Sequence, residues 1–86
     1  MSKPTKLSVS VIVNGQPVEV DVNLNAPLKV VAEHALNQSG NSGQPLENWE
    51  MRDAEGQILD LSRKAEDYGL TQGTKLFLNL KAGVGG

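Results

Sequence analysis

Residues 7–24 read LSVSVIVNGQPVEVDVNL and decide the fold of this 86-residue chain. Apolar residues recur at every second position in two runs, which are Leu7, Val9, Val11, Val13 and then Val18, Val20, Val22, Leu24. This period of two predicts two strands, each with one buried face and one exposed face. Asn14-Gly15 joins them and is a strong hairpin signal, because both residues tolerate positive φ. Gln16 and Pro17 are expected to lengthen the turn, so the turn type stays open.

The segment after this hairpin has the pattern of one amphipathic helix. Asn25 is the expected N-cap, and Pro27 fits the first helical turn, where its missing N–H costs nothing. Glycine suits the left-handed position after a helix, so the helix is predicted to end near Ser39-Gly40. The apolar residues share one helical stripe, namely Leu28, Val31, Ala32, Ala35 and Leu36.

The rest of the chain predicts three further strands and a long irregular connection. Residues 49–52 alternate as a short third strand, Ile58-Leu59 suggests a very short fourth, and residues 75–80, KLFLNL, form the last. Residues 61–73 are expected to be irregular, with Tyr68 and Leu70 as anchors. The last strand is expected beside the first, in the middle of the sheet.

A single helix with one apolar stripe needs one sheet face to cover it. The order of elements therefore predicts an α+β domain, with a mixed sheet of four or five strands and the helix packed across it. Residues 1–6 are expected to be a loose tail, 7–80 the domain, and 81–86 a flexible C-terminal tail. Val20, Leu28, Val31 and Leu78 are predicted to be buried together.

The chain resembles the ubiquitin-like β-grasp family, most clearly from Asp53 onward. The resemblance spans residues 7–86, nearly the whole chain, and its motifs are GQIL at 56–59, DYGL at 67–70 and QGTKLFLNL at 72–80. They are similar to three segments in the second half of ubiquitin, namely a short strand, a tyrosine-containing turn and a final Leu-x-Leu-x-Leu strand that leads to Gly-Gly. The chain is more similar to bacterial ubiquitin-like modifiers than to ubiquitin itself. Those modifiers are found in operons with activating, conjugating and deubiquitinase-like enzymes, and some of these operons serve antiphage defence.

This resemblance implies a function for the final residues. An activating enzyme, which uses ATP, would adenylate the carboxylate of Gly86, a cysteine would take the acyl group as a thioester, and an amine of a target protein would accept it. Gly85 and Gly86 would be the conjugation residues. The activating enzyme would recognise the tail residues Lys81, Ala82, Gly83 and Val84. This tail is one residue longer than ubiquitin's and lacks arginine, so a different activating enzyme is expected.

The resemblance also implies partners and limits. The chain would be no enzyme and would need no cofactor of its own. Its partners would be the activating enzyme, the conjugating enzyme, a deconjugating or maturation protease and the target proteins. It would be a cytoplasmic monomer when free. Two other functions remain open, namely a sulfur carrier with a C-terminal thiocarboxylate and a ubiquitin-like interaction domain that is not conjugated.

Positions that match ubiquitin's recognition patch and linkage lysines predict a partner surface and the acceptor lysines of this chain. Phe77 lies where ubiquitin's recognition patch has a histidine, and it is either a partner contact or a singly exposed apolar residue. Its neighbouring patch positions are the polar Glu50 and Asn79, so partners that read ubiquitin's apolar patch are not expected to bind. Ubiquitin's best-known linkage lysines correspond to Gln57 and Gln72, so linkage at those sites is excluded. Lys3 and Lys6 lie on the expected loose N-terminal tail and are therefore the expected self-acceptors.

Composition excludes several other functions. The chain has no cysteine and one histidine, His34, which gives neither a zinc site nor a catalytic triad. Its net charge is −2, whereas nucleic-acid binding calls for a concentrated basic face. No apolar run approaches the roughly 20 residues of a membrane span, so no membrane partner is expected. Asp60, Glu66 and Asp67 form an acidic loop, which we interpret as surface rather than as an acid/base pair.

Overall fold

Five strands and one α-helix build the part of the chain that the computed structural model describes, residues 6–41, 43 and 45–81. The strands are β1 (Lys6–Val13), β2 (Gln16–Asn23), β3 (Trp49–Arg52), β4 (Ile58–Leu59) and β5 (Lys75–Leu80), and the helix α1 is Leu28–Gln38. Two short 3₁₀ turns, Leu46–Asn48 and Ala65–Tyr68, lie in the connections.

The strand order in the sheet is β2-β1-β5-β3-β4. β1 and β5 are parallel neighbours, and the other pairs are antiparallel. This order confirms that the last strand lies beside the first in the middle of a mixed sheet. Together with α1 packed on one face, it confirms the predicted α+β, β-grasp architecture.

The core lies between α1 and the inner face of the sheet. Val20, Leu28 and Leu78 have no exposed surface, and Val31 is 3% exposed, which confirms that these residues are buried together. Tyr68 is half-buried against this core, as predicted for an anchor of the irregular connection. The remaining core residues are Val9, Val11, Val13, Val22, Ala32, Ala35, Leu36, Trp49, Met51, Leu59, Ala65 and Leu76.

The β1–β2 turn is tighter than the sequence suggested. Asn14 and Gly15 both have positive φ, at 49° and 86°, and Gln16 already pairs with Val13. This is a two-residue hairpin loop of the type that matches the twist of its strands. Pro17 therefore belongs to β2 and does not lengthen the turn, because β2 is an edge strand where a residue without N–H is tolerated.

The start of α1 differs from the prediction. Asn25 is not the N-cap; that position is Pro27, and no side chain caps the helix. Instead, carbonyl groups of the 61–63 segment accept the first free N–H groups: Leu28 donates to Arg63 at 2.8 Å and Lys29 to Leu61 at 2.9 Å. Distant backbone thus satisfies the helix end. The C-terminal end is as predicted, with Ser39 as the C-cap and φ 77° at Gly40.

The first strand begins one residue earlier than predicted. Lys6 was expected in the loose N-terminal tail, but it is the first residue of β1 and pairs with Asn23. Register with β2 extends the strand there, although Lys6 itself is exposed and polar. Residues 1–5 of the expected tail lie outside the described residues.

Candidate functional site

The predicted conjugation residues lie beyond the described part of the chain. Gly85 and Gly86 are outside it, as are three predicted tail-recognition residues, Ala82, Gly83 and Val84. Lys3, one of the two expected self-acceptors, lies outside it as well.

Lys81 is the last described residue, and its backbone is held by the fold. Its N–H donates to the carbonyl of Asn48 at 2.8 Å. The preceding residue, Leu80, lies opposite Trp49 in the β3–β5 ladder, so this bond continues the ladder by one residue. The Lys81 side chain is exposed. The described part of the chain therefore ends at Lys81, beside the 3₁₀ turn Leu46–Asn48.

The three predicted partner-surface residues lie together on the outer face of the sheet, away from α1. Glu50 of β3 lies opposite Asn79 of β5. Both alternate along their strands with the buried residues Met51 and Leu78, which face the core. Phe77 is two residues before Asn79 and therefore shares its face. Phe77 and Glu50 are half-buried, and Asn79 is exposed.

Phe77 belongs to a row of residues that the sequence did not reveal. Ile12 of β1 lies opposite Pro17 of β2 and Phe77 of β5. Arg52 of β3 lies opposite Phe77 and also opposite Ile58 of β4. These five residues form one line across all five strands of the outer face, which we call the outer band. A signal for it existed, because Ile12 is an apolar residue at a polar position of the β1 alternation.

Arg52 carries the charge of the outer band. Its Nη1 donates to the Gly56 carbonyl at 3.2 Å, and its Nη2 lies 3.5 Å from both carboxylate oxygens of Glu50. The Arg52 side chain is 44% exposed, and that of Glu50 is 19% exposed. A long ion pair with one exposed partner contributes little to stability. A guanidinium has five N–H donors, so Arg52 keeps donors for a further carboxylate.

The acidic loop has the geometry of a surface turn. The Asp60 carboxylate accepts hydrogen bonds from the Ser62 hydroxyl at 2.6 Å and the Ser62 N–H at 2.9 Å. These two bonds, the hydroxyl bond first, hold the pKa of Asp60 below its usual value. Glu66 and Asp67 are exposed. Exposed carboxylates of this kind lack the buried cleft that acid/base catalysis needs.

Among residues 6–41, 43 and 45–81, no cluster of three or more histidine or acidic side chains is placed to hold a metal ion. Within the same residues, no helix has the length and apolar character needed to cross a membrane. His34 is exposed on α1.

Lys6 is the one predicted self-acceptor within the described residues. It is exposed at the start of β1 and lines a shallow groove with Asp21 and Gln72. The Gln72 side chain is engaged there, because its Oε1 accepts the N–H of Ser8 at 3.0 Å. Gln57, at the other position predicted to correspond to a ubiquitin linkage lysine, is exposed.

Comparison with known proteins places this chain in a sequence family and in a fold. A family model described as Protein of Unknown function (DUF2604) matches residues 2–86. A curated relative from Sinorhizobium fredii (strain NBRC 101917 / NGR234), the uncharacterized protein y4jI, is 48% identical over 83 residues. Those residues are 96% of this chain, which spans only 64% of the relative's length.

Solved structures similar to this chain are ubiquitin-like. A protein designed on the basis of ubiquitin matches with a TM-score of 0.80 and 24% identity, over 98% of this chain and 99% of that one. The ubiquitin of Caldiarchaeum subterraneum matches with a TM-score of 0.74 and 21% identity, over 94% of this chain and 99% of that one. An Arabidopsis thaliana protein matches with a TM-score of 0.75 and 16% identity, over 94% and 93% of the two chains. Identities this low support the fold alone.

Proposed function

Because this chain belongs to the family described as Protein of Unknown function (DUF2604) and has a ubiquitin-like fold, we propose that it is a protein modifier. In this proposal it is joined to amines of target proteins through the carboxylate of Gly86. A maturation protease exposes that carboxylate wherever the chain continues beyond it. The chain is the substrate of this chemistry, and the enzymes that act on it supply the catalytic groups.

The proposed chemistry has three steps. A carboxylate oxygen of Gly86 attacks the α-phosphorus of ATP on the activating enzyme, and pyrophosphate leaves. A cysteine thiolate of that enzyme attacks the acyl-adenylate, which forms a thioester and releases AMP. The thioester passes to a conjugating enzyme, and a target amine then attacks it, so that an amide bond forms and the thiol leaves.

The observation that carries this proposal is the way β5 connects the core to the final residues. Leu76 and Leu78 of β5 are fully buried between β1 and β3. The strand then ends at Leu80, and the Lys81–Asn48 hydrogen bond is its last described contact. The sequence that follows is AGVGG. Glycine lacks a Cβ, so its backbone can pass close to other groups in a narrow channel.

Mass spectrometry of the protein purified from its own cells tests the proposal. Trypsin cleaves after Lys81, so a conjugated target lysine is expected to keep residues 82–86 as a branched AGVGG remnant. A sulfur carrier would instead show one oxygen replaced by sulfur at the C-terminus. An unmodified chain with no adducts would favour the interaction-domain function and contradict the proposal.

The proposal extends to a bacterial setting. The relative in Sinorhizobium fredii is bacterial, which supports this part. We propose that genes for activating, conjugating and deubiquitinase-like enzymes accompany the gene for this chain, in an operon that serves antiphage defence. Co-expression with those enzymes should yield adducts, and deletion of the operon should raise the number of phage plaques.

Self-linkage gives a further prediction for Lys3 and Lys6. The amide side chains at positions 57 and 72 are not nucleophiles, which excludes linkage there, and Lys6 is exposed. We expect the chain to act mainly as a single tag, with any self-linkage at these two lysines. Replacing both by arginine should remove self-linked species in a reconstituted reaction analysed by peptide mapping.

The matched control for this prediction is a chain in which Lys29 and Lys75, both exposed, are replaced by arginine. It should form the same self-linked species as the parent. Branched remnants found mostly on Lys29 or Lys75 would show that the acceptor assignment is wrong.

A further inference from the structure

A small pocket opens where β5 begins, between the turn at 53–55 and the segment 68–70. Its volume is about 200 Å³. Leu76, which has no exposed surface, and Leu59, which is 7% exposed, form its floor. Tyr68 and the nearby Leu70 are half-buried and line it as well. The pocket therefore has an apolar floor beneath a mouth that solvent reaches.

This pocket is separate from the predicted partner surface. Leu76 and Phe77 are consecutive residues of β5, so their side chains lie on opposite faces of the sheet. Phe77 lies on the outer face, which it shares with Glu50 and Asn79. The floor of the pocket belongs to the inner face, so a ligand in the pocket would leave the outer band uncovered.

Hydrogen bonds fix both walls of the pocket. The Asp53 carboxylate accepts the N–H of Glu55 at 2.9 Å and the N–H of Gln57 at 3.0 Å, which closes the turn on one side. On the other side, the Tyr68 hydroxyl accepts the N–H of Asp60 at 2.7 Å. Walls that are already in place need little reordering when a ligand enters, which lowers the cost of binding.

The volume of the pocket fits one aromatic side chain. A cavity of about 150 Å³ holds a benzene ring, whereas sites for cofactors and drug-sized ligands measure about 300–1,000 Å³. The Tyr68 ring in the wall offers an aromatic neighbour, and rings pair favourably in offset or edge-to-face geometry. A single large side chain inserted into a pocket commonly supplies most of the affinity of a protein contact.

A second copy of this chain is a poor source of that ring. The chain has one tryptophan, one tyrosine and one phenylalanine. Trp49 is 2% exposed, and Tyr68 and Phe77 are half-buried against their own sheet or connection. None of the three could enter the pocket of another copy without leaving its own packing, so the ring must come from a different protein.

Charge at the mouth of the pocket determines which residue lies next to the ring. Asp53 and Glu55 line the pocket, and within the described residues neither carboxylate has a cationic partner. Lys75 also lines it, but Lys75 precedes Leu76 in β5 and its side chain therefore lies on the outer face. The mouth is thus negative, which favours a lysine or arginine in the bound segment.

We propose that this pocket binds one aromatic side chain of a partner protein, with a neighbouring lysine or arginine of that partner beside Asp53 and Glu55. The ring contacts Leu59, Leu76 and Tyr68. This inference does not depend on conjugation through Gly86.

Peptide titration of the ¹⁵N-labelled chain tests the proposal. The probe is a designed, end-capped peptide, Gly-Ser-Gly-Phe-Lys-Ser-Gly. We expect chemical-shift changes at the amides of Leu59, Tyr68, Leu70 and Leu76, with a dissociation constant of about 1 mM. A matched peptide with alanine in place of phenylalanine should bind at least about tenfold more weakly, because it lacks the anchor.

Removal of the two carboxylates tests the charge at the mouth. Asp53→Asn with Glu55→Gln should weaken binding of the lysine peptide about fivefold, and it should leave unchanged the affinity of a peptide with glutamine in place of lysine. The asparagine oxygen can still accept the N–H groups of the turn. Glu33→Gln with Glu47→Gln changes the net charge equally at exposed positions elsewhere and is the matched control, with no expected effect.

Several results would overturn the proposal. They are equal affinity for the phenylalanine and alanine peptides, an equal loss with the control variant, shifts confined to the outer band, self-association of the chain through the pocket, and no shifts with about 5 mM peptide. The spectra also report whether each variant is folded. The two peptides leave the protein unchanged, so their comparison decides the question even where a variant does not fold.

Discussion

Deletion of Gly85 and Gly86 is expected to abolish ATP–pyrophosphate exchange by the cognate activating enzyme and to leave the thermal melt unchanged. The deletion makes Val84 the terminal residue. On the proposed function, this brings a stiff, β-branched side chain into a channel of the activating enzyme that is shaped for glycine. The buried hydrophobic residues of the described structure all lie between Val9 and Leu78. Removing two residues from a chain terminus generally changes stability little.

Gly86→Ala is a milder variant to be measured beside this deletion. It keeps the length of the tail and adds one methyl group, so exchange should fall but remain measurable. Exchange at the parental rate with the deletion would mean that the Gly-Gly has no role in activation, and the interaction-domain function would replace our proposal. Loss of exchange together with a lower melting temperature would mean that these residues contribute to the fold.

The periodic parts of the fold could be predicted from the sequence because their signal is local. Alternation in residues 7–24 and 75–80 predicts which side chains face the core, and the three strands lie where it placed them apart from the ends of β1 and β2, which differ by at most two residues. The start of α1 has no such local signal, because the first N–H groups of the helix donate to the carbonyls of Leu61 and Arg63. The residues around Asn25 cannot reveal these acceptors, which lie more than thirty positions further along the chain.

The candidate site likewise has features that the local sequence predicts and features that depend on distant residues. Sequence placed Phe77, Glu50 and Asn79 on one face, because period two fixes the face of each residue. It did not give the row to which each belongs, since this depends on register between strands far apart in the chain. Ile12 and Phe77 are 65 positions apart yet directly opposite in the parallel β1–β5 pair. The outer band therefore became visible only with the sheet assembled.

Leu78→Ala is the substitution with the largest expected effect on stability. Leu78 has no exposed surface and lies between Val13 of β1 and Met51 of β3, at the centre of the sheet. Truncation removes buried methyl groups and leaves a cavity that these neighbours can fill only in part. The free energy of unfolding should fall by about 2–5 kcal/mol, a large share of the roughly 5–15 kcal/mol that holds a domain folded.

Asn79→Ala is the matched control for Leu78→Ala, because it changes the next residue of the same strand on the exposed face. Its effect should stay within about 0.5 kcal/mol, as for other surface substitutions. Urea unfolding of the parent and both variants measures the difference directly. If Leu78→Ala cost less than about 1 kcal/mol, the inner face of β5 would be wrongly assigned. The outer face would then be wrong as well, because alternation along the strand ties Phe77 to the side opposite Leu78.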